Sequence, residues 1–330
     1  MKLSQLGEFG VIRRIQRATP KGRGVLLGIG DDAAWVKNST GSCLITADLL
    51  LEGIHFRLQW TSLYALGYKS LAVNLSDIAA MGGIPAYLVV SLGIPSAFSV
   101  HDVDELYRGI RALAAKTGVS LVGGDTNAAD SLLICICVIG HALYRPITRS
   151  GAKVGDDIYV TGTLGDSALA LKLLLSKQAT PGDRAVAYLL SRLHLPTPRL
   201  KAGALLSKER LSKAMIDVSD GLVQDLGHLC RASGVGALIQ EDNVPLSSAY
   251  RSLAAKEGTR YALSGGEDYE LLFCVRRKDR ARLEKLKRRL DVPITHIGHC
   301  VEARHGVQVL GANQRTLRLS LKGHDHFKDS

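Results

Sequence analysis

Five short segments each set an aspartate beside small or hydroxyl-bearing residues: Gly28-Ile29-Gly30-Asp31-Asp32, Thr46-Ala47-Asp48, Asn74-Leu75-Ser76-Asp77, Gly123-Gly124-Asp125-Thr126 and Asp217-Val218-Ser219-Asp220. Nearly all follow apolar, strand-like runs or sit in apolar helical stretches. Carboxylates brought to one point by separate elements repel unless a cation lies between them. Hard oxygen ligands suit Mg²⁺, which takes one or two carboxylates and fills its shell with water and phosphate oxygens. The pattern therefore calls for a fold that draws both halves of the chain to one charged centre. It points to metal-assisted phosphate chemistry.

With 330 residues, 46% of them apolar, the chain can bury two ordinary cores. No apolar run approaches the length of a membrane span, and Met1-Lys2-Leu3-Ser4-Gln5 lacks a signal-peptide core. A cytoplasmic protein without a membrane partner is expected. The six cysteines are scattered without a CxxC pair, and Cys135 and Cys137 share one face of an expected strand as small hydrophobes. HExxH is absent, which counts against zinc. The net charge of +11 raises the question of nucleic acid. Much of that excess lies in residues 276–290, where Leu283, Leu286 and Leu290 mark an apolar face and the bases a solvated one. Aromatics make up 5% and do not alternate with the bases, so no nucleic-acid partner is expected.

Periodicity predicts helices over 3–18, 61–80, 102–117 (with Asp102 as N-cap), 165–175, 183–193, 199–206 and 221–232. Strands are expected at 43–46, ending at Asp48, at 87–90, and at 119–122, ending at Gly123-Gly124. Others are expected at 132–143, 158–160, 214–216 (running into Asp217), 237–239, 271–273 and 294–297. Residues 145–156 break the pattern with Pro, Gly and charge, which places a domain boundary there, with domains 1–146 and 147–330. Strict βαβ alternation is missing, so an α+β fold of two layered domains is expected rather than a doubly wound sheet.

Residues 28–33 fit the dinucleotide pattern G-x-G-x-x-A, but two aspartates in the turn repel a pyrophosphate, so metal ligation is expected there. Asn74 and Asp77 share a helix face, as either an exposed polar stripe or a buried one at a site. Gly123 and Gly124 permit close backbone approach to a phosphate. Ser219 or Asp220 is positioned to cap the helix that follows. Asp268 and Glu270 read as ordinary turn and edge charges. The P-loop and the HRD and DFG kinase motifs are absent. Phosphates must then be handled mainly by Mg²⁺ and aspartates.

Taken in order, residues 28–34 (GIGDDAA), 46–48 with 53–56 (GIHF), 71–82 (LAVNLSDIAAMG), 123–126, 148–156 (TRSGAKVGD), 159–167 (YVTGTLGDS), 217–222 (DVSDGL) and 265–271 (GGEDYEL) resemble the thiamine-monophosphate kinase family. The aspartate set is shared with the wider superfamily of aminoimidazole ribonucleotide synthetase and selenophosphate synthetase. The GxHF, TRSGAKxGD and GGEDYEL segments are more specific to the thiamine enzyme. The resemblance implies a homodimer of two-domain subunits, with an N-terminal mixed sheet that pairs in the dimer and a C-terminal α/β sandwich. It implies direct transfer of the γ-phosphoryl group of ATP to thiamine monophosphate. On this chain the implied Mg²⁺ ligands are Asp32, Thr46, Ala47 (through its backbone), Asp48, Asp77, Asp125, Asp217 and Asp220, with Asp77, Asp125 and Asp217 as the catalytic set. Gly124, Arg149, Ser219 and Tyr107 are implied to contact ATP, and His55 and Glu267 the substrate. The family carries a large aromatic near a D-H-F-like end, and His324 stands in its place here.

Two rivals follow from the same residues. One is a superfamily relative that uses ATP to activate an amide oxygen, as in aminoimidazole ribonucleotide synthetase, or selenide; the selenide enzyme needs a reactive Cys or selenocysteine near its start, and no Cys precedes Cys43. A non-catalytic nucleotide- or nucleic-acid-binding protein leaves the aspartate segments unexplained.

Overall fold

The computed structural model describes residues 8–19, 24–38, 41–142, 144–180, 182–311, 313 and 315–317. His324 and the first residues of the expected 3–18 helix lie outside them. That helix is seen as α1 (Glu8–Ala18).

Six strands form the first sheet: β1 (Val25–Leu27), β2 (Ala34–Asn38), β3 (Gly41–Leu51), β4 (Ile84–Ile94), β5 (Ser120–Ala128) and β6 (Leu133–His141). Their order is β1-β2-β3-β6-β4-β5, antiparallel except for the β4–β5 pair. Helices α2 (Leu63–Ala80) and α3 (Val100–Thr117) belong to this half. The core joins α2 and α3 to Leu44, Leu50, Leu88, Val90, Ile134, Ile136 and Val138, one face of the sheet. The other face, bearing Leu49 and Tyr87 at 46% exposure each, is open.

Helix α2 is buried along most of its length because its sequence is apolar nearly all round, which marks a core helix rather than a surface one. The Ser62 hydroxyl caps it by accepting from the Ala65 N–H at 3.2 Å. It meets α3 at Gly67 and Gly109. A Cβ on Gly67 would lie 1.9 Å from the Leu106 carbonyl oxygen, and one on Gly109 at 1.9 Å from that of Tyr64. Helix α3 starts two residues earlier than expected. Ser99 is its N-cap, and Asp102 completes a capping box by accepting from the Ser99 N–H.

The second half builds another six-stranded sheet from β7 (Asp157–Thr161), β8 (Ser212–Val218), β9 (Val235–Gln240), β10 (Glu270–Val275), β11 (Ile294–Glu302) and β12 (Val307–Leu310), in the order β12-β9-β11-β7-β10-β8. Helices α4 (Asp166–Leu175), α5 (Arg184–His194), α6 (Leu200–Lys208), α7 (Leu222–Ser233), α8 (Ser248–Leu253), α9 (Arg260–Ser264) and α10 (Arg280–Lys287) accompany it. Leu222, Leu226 and Leu229 of α7 cover one sheet face. Leu206 of α6 and Leu283 and Leu286 of α10 cover the other, which also receives Ala79 and Ala80 from the end of α2. A sheet covered on both faces matches the expected sandwich.

Three expectations change at the level of elements. Strand β3 runs on to Leu51, so Thr46, Ala47 and Asp48 lie within it rather than at its end. Strand β5 likewise continues through Gly123, Gly124 and Asp125 to Ala128. Pairing with β6 and β4 respectively sustains both strands through polar residues that end a strand by composition alone. Asp268 and Glu270 are 1% and 0% exposed, so neither is an ordinary turn or edge charge. Glu270 accepts from Arg192 at 2.7 Å, from Arg199 at 2.5 and 2.7 Å, and from the Thr161 hydroxyl at 2.6 Å.

Among the described residues no helix is long and apolar enough to cross a membrane. The basic 276–290 segment is α10 with its flanks, and its charge is largely paired: Arg280 with Asp157, Arg276 and Arg282 with Asp279, Arg289 with Glu209. All six cysteines are free.

Candidate active site

The carboxylates of Asp32, Asp77 and Asp217 bring oxygens within 4.8 Å of one another. Three elements deliver them: the turn before β2, the last turns of α2, and the C-terminal end of β8. Burial explains why this is costly, since Asp32 and Asp217 are 7% and 3% exposed. Desolvation, added to by the neighbouring aspartates, pushes the Asp77 pKa well above its usual range. Desolvation and then the Asp32 charge push Asp217 up to about 8. The same two causes raise Asp48, on β3 beside the group, to about 6. A cluster that resists ionisation alone is one that a divalent cation would complete.

Neighbours hold these carboxylates in place. The Thr46 hydroxyl donates to Asp77 Oδ2 at 2.5 Å. The Ser76 hydroxyl donates to Asp217 Oδ2 at 2.6 Å, across the two halves. Asn74 Oδ1 accepts from the Asp48 N–H at 3.0 Å while its amide donates to the Ser70 carbonyl. The polar residues of α2 here are buried rather than an exposed stripe, with Asn74 and Ser76 both 0% exposed.

Arg149 crosses between the halves too. Its guanidinium donates to Asp32 Oδ1 at 2.9 Å, and its backbone N–H donates to the Asp31 carboxylate at 3.1–3.2 Å. Asp31, which is not in the implied ligand set, therefore anchors the 149 segment. Desolvation and then the Asp32 charge raise its pKa to about 7. Asp32 Oδ2 and Arg149 Nε are both buried without a hydrogen-bond partner. An unmet carboxylate oxygen next to an unmet guanidinium N–H suits a metal ion accompanied by phosphate. The donor set therefore fits Mg²⁺.

Ser219 and Asp220 lie in the turn after β8, but neither caps α7. The cap runs the other way: Asp225, inside the helix, accepts from the N–H groups of Ser219, Asp220 and Gly221 at 3.0–3.1 Å. Asp220 accepts from the Gln224 amide at 3.1 Å.

Other predicted residues stand elsewhere. Asp125 and Gly124 are on β5, the exposed edge strand. Asp125 pairs opposite Ser91, in the same row as Cys135 and Leu49 on the open face, whereas Asp48 lies in the row of Ile136 on the covered face. One chain therefore does not bring Asp125 to the cluster. Gly124 has an internal reason for lacking a side chain, because a Cβ there would lie 1.9 Å from the Val90 carbonyl oxygen. Tyr107, on α3, is half-buried against the first core. Ala47 sits on the open face of β3, and its backbone carbonyl remains the group of interest.

His55 and Glu267 do come together. They line an open cleft of about 220 Å³ with Phe56, Trp60, Leu171, Leu174, Leu193, Lys69 and His194. Aromatic and aliphatic walls with a few polar groups suit a small heterocyclic ligand. His55 Nδ1 accepts from the Leu51 N–H at 3.1 Å. Desolvation, then the nearby Lys69 charge, depresses His194 to about 4, so its imidazole is neutral near pH 7. Lys69, 6% exposed, donates to Glu267 Oε1 at 2.5 Å.

Lys69 is not among the residues the local sequence pattern singles out, and Ser76 stands out there only as a neighbour of Asp77. The signal for Lys69 was present: with Asp77 it carries the charge of an otherwise uncharged, apolar 18-residue helix.

Family models described as AIR synthase related protein, N-terminal domain and C-terminal domain, match residues 30–142 and 153–310. The thiamine-monophosphate kinase of Bacillus subtilis is 38% identical over 98% of this chain and 100% of its own length. That of Escherichia coli K12 is 39% identical over 97% of this chain and 98% of its own. A solved structure described as AaThiL complexed with AMPPCP and TMP is similar with a TM-score of 0.86 and 34% identity, covering 99% of each chain. With these full-length similarities and the convergent aspartates, the chain belongs to the thiamine-monophosphate kinase family.

Proposed function

We propose that the chain phosphorylates thiamine monophosphate to thiamine diphosphate, with ATP as donor. The observation that carries this reading is the convergence of Asp32, Asp77 and Asp217 from both halves, beside Arg149 and next to a cleft lined by His55 and Glu267. In the reaction an oxygen of the substrate phosphate attacks the γ-phosphorus of ATP. The bond from that phosphorus to the β–γ bridging oxygen breaks, and ADP leaves. The attacking oxygen is already largely ionised near neutral pH, so no strong general base is required.

Mg²⁺ ions bound here would neutralise the phosphates and align donor with acceptor. Asp32, Asp48, Asp77 and Asp217 are the proposed central ligands, with Thr46, the Ala47 carbonyl and Asp220 beside them. Arg149 and Ser219 are the proposed contacts to ATP, and His55 and Glu267 those to thiamine monophosphate. Residues 1–146 form the proposed metal- and nucleotide-binding half, and 147–330 the half that completes the site.

A homodimer is part of this reading. Among the described residues strand β5 leaves one edge unpaired, with Val122 59% and Leu121 38% exposed, beside the open sheet face that carries Leu49 and Tyr87. An uncovered edge and apolar face favour association. A second copy packed there would bring its Gly124, Asp125 and Tyr107 toward the other protomer's centre. A cytoplasmic location accords with this chemistry, since ATP is the donor.

The test is incubation with ATP and Mg²⁺, offering thiamine monophosphate and thiamine in parallel. Thiamine diphosphate from the monophosphate, with no phosphorylation of thiamine, is expected. A product from thiamine alone would transfer the activity to an alcohol acceptor and contradict the reading.

A further inference from the structure

Lys69 and Ser76 are seven residues apart on α2, which puts them on one helix face about 10 Å apart. Ser76 holds Asp217 of the carboxylate cluster, and Lys69 holds Glu267 of the cleft. Both partners come from the second half of the chain. A single rigid helix thus links the cluster to the cleft.

Glu267 is unusually constrained. Its φ of 67° lies in the left-handed region, as does that of Tyr269 at 50°. A left-handed conformation at a non-glycine residue is costly and persists where surrounding contacts over-determine it. Those contacts are present. The Glu267 N–H donates to the Ser219 carbonyl at 2.7 Å, and the Tyr269 N–H to that of Val218 at 2.8 Å. Behind them Glu270 is locked by Arg192 and Arg199, and Asp268 accepts from the Gly165 N–H at 2.7 Å. The backbone fixes where the Glu267 side chain leaves the loop. Lys69 then fixes where its carboxylate points, by taking one of the two oxygens. Lysine is rarely buried without a partner, and a carboxylate in the cleft is the partner it has here.

We propose that Lys69 is a positioning residue for substrate recognition: it clamps Glu267 so that the remaining carboxylate oxygen meets the amino-substituted, cationic heterocycle of the substrate at a fixed place. The proposal rests on the functional reading above and adds a residue to it. Lys69 acts through Glu267 and does not touch the transferred phosphoryl group.

The test is steady-state kinetics on the full chain, varying thiamine monophosphate and ATP separately, for wild type, K69M, K69Q, K69R, E267Q and K69M/E267Q. Melting temperatures accompany each variant, and the two neutral replacements guard against a packing defect in either. Loss of the clamp raises KM for thiamine monophosphate about tenfold in K69M and K69Q, with KM for ATP and kcat within about twofold. K69R keeps a cation and stays within about threefold of wild type. K69M/E267Q is no worse than E267Q, because Lys69 has no role once Glu267 is altered. An unchanged KM, equal rises in both KM values, or additive losses in the double variant overturn the proposal. Absence of thiamine diphosphate in the wild type overturns the functional reading with it, whereas an active wild type with an indifferent Lys69 removes the positioning role alone.

Discussion

The Ser76 hydroxyl donates to Asp217 Oδ2 at 2.6 Å, joining residues 141 apart in the chain and lying in its two halves. Both are buried, and Ser76 lowers an Asp217 pKa that desolvation and Asp32 raise. Replacement by alanine leaves a buried carboxylate oxygen without its donor. Ser76→Ala is expected to cost about 1–3 kcal/mol of stability and to lower turnover. Urea denaturation and kcat at saturating substrates measure the two effects. An unchanged midpoint with unchanged turnover would show that this contact does not organise the site.

Asp77→Asn tests the cluster itself. Asn keeps the shape and an oxygen for the Thr46 hydroxyl, but removes a charge shared among Asp32, Asp77 and Asp217. Turnover is expected to fall about 10²-fold, while circular dichroism stays that of wild type. Wild-type turnover at ordinary Mg²⁺ would sink the assignment of Asp77 as a metal ligand.

Glu270→Gln tests a buried ion-pair network of the second half. Two arginines meet this carboxylate at 0% exposure, and losing the charge removes the partner of Arg199 and leaves Arg192 only the longer 3.7 Å pairing with Asp166. A loss of about 3–5 kcal/mol is expected. Thermal or urea unfolding checks it, and a variant as stable as wild type would contradict the role given to Glu270.

Asp157 supplies a pH dependence. Burial alone raises its pKa, but hydrogen bonding from Arg280 and the charges of Arg280, His296 and Arg277 win, so the folded value lies below the ordinary 3.8. A carboxylate depressed by folding stabilises above its unfolded pKa, and that contribution is lost as pH falls below about 4. Arg280 is half exposed, so screening keeps the gain under about 1 kcal/mol. Melting temperature followed from pH 6 to pH 3 is expected to fall less steeply in Asp157→Asn than in wild type. Parallel curves would contradict this.

The sequence carried the aspartates because their chemistry is local: a charge beside glycine or serine in an apolar run is visible without a fold. It also carried most helices, through periodicity. Strand ends were less visible. Thr46 to Asp48 and Gly123 to Asp125 look like corners until partner strands extend the ladder through them. Glu270 looked like an edge charge because nothing nearby in the chain announces Arg192 and Arg199, 78 and 71 residues away. Lys69 was missed for the same reason, since Glu267 lies 198 residues on. Asp125 marks another limit, because a residue on the open face of one chain has its meaning set by what covers that face.

The central claim is that carboxylates from both halves hold Mg²⁺ for a direct transfer between ATP and thiamine monophosphate. The decisive measurement follows the γ-phosphoryl label of ATP in the presence of thiamine monophosphate, with Mg²⁺ or with excess chelator. Label is expected in thiamine diphosphate with Mg²⁺, none in that product with chelator, and none on the protein at any time. Label appearing on the protein, or product forming at the same rate without divalent metal, would contradict it.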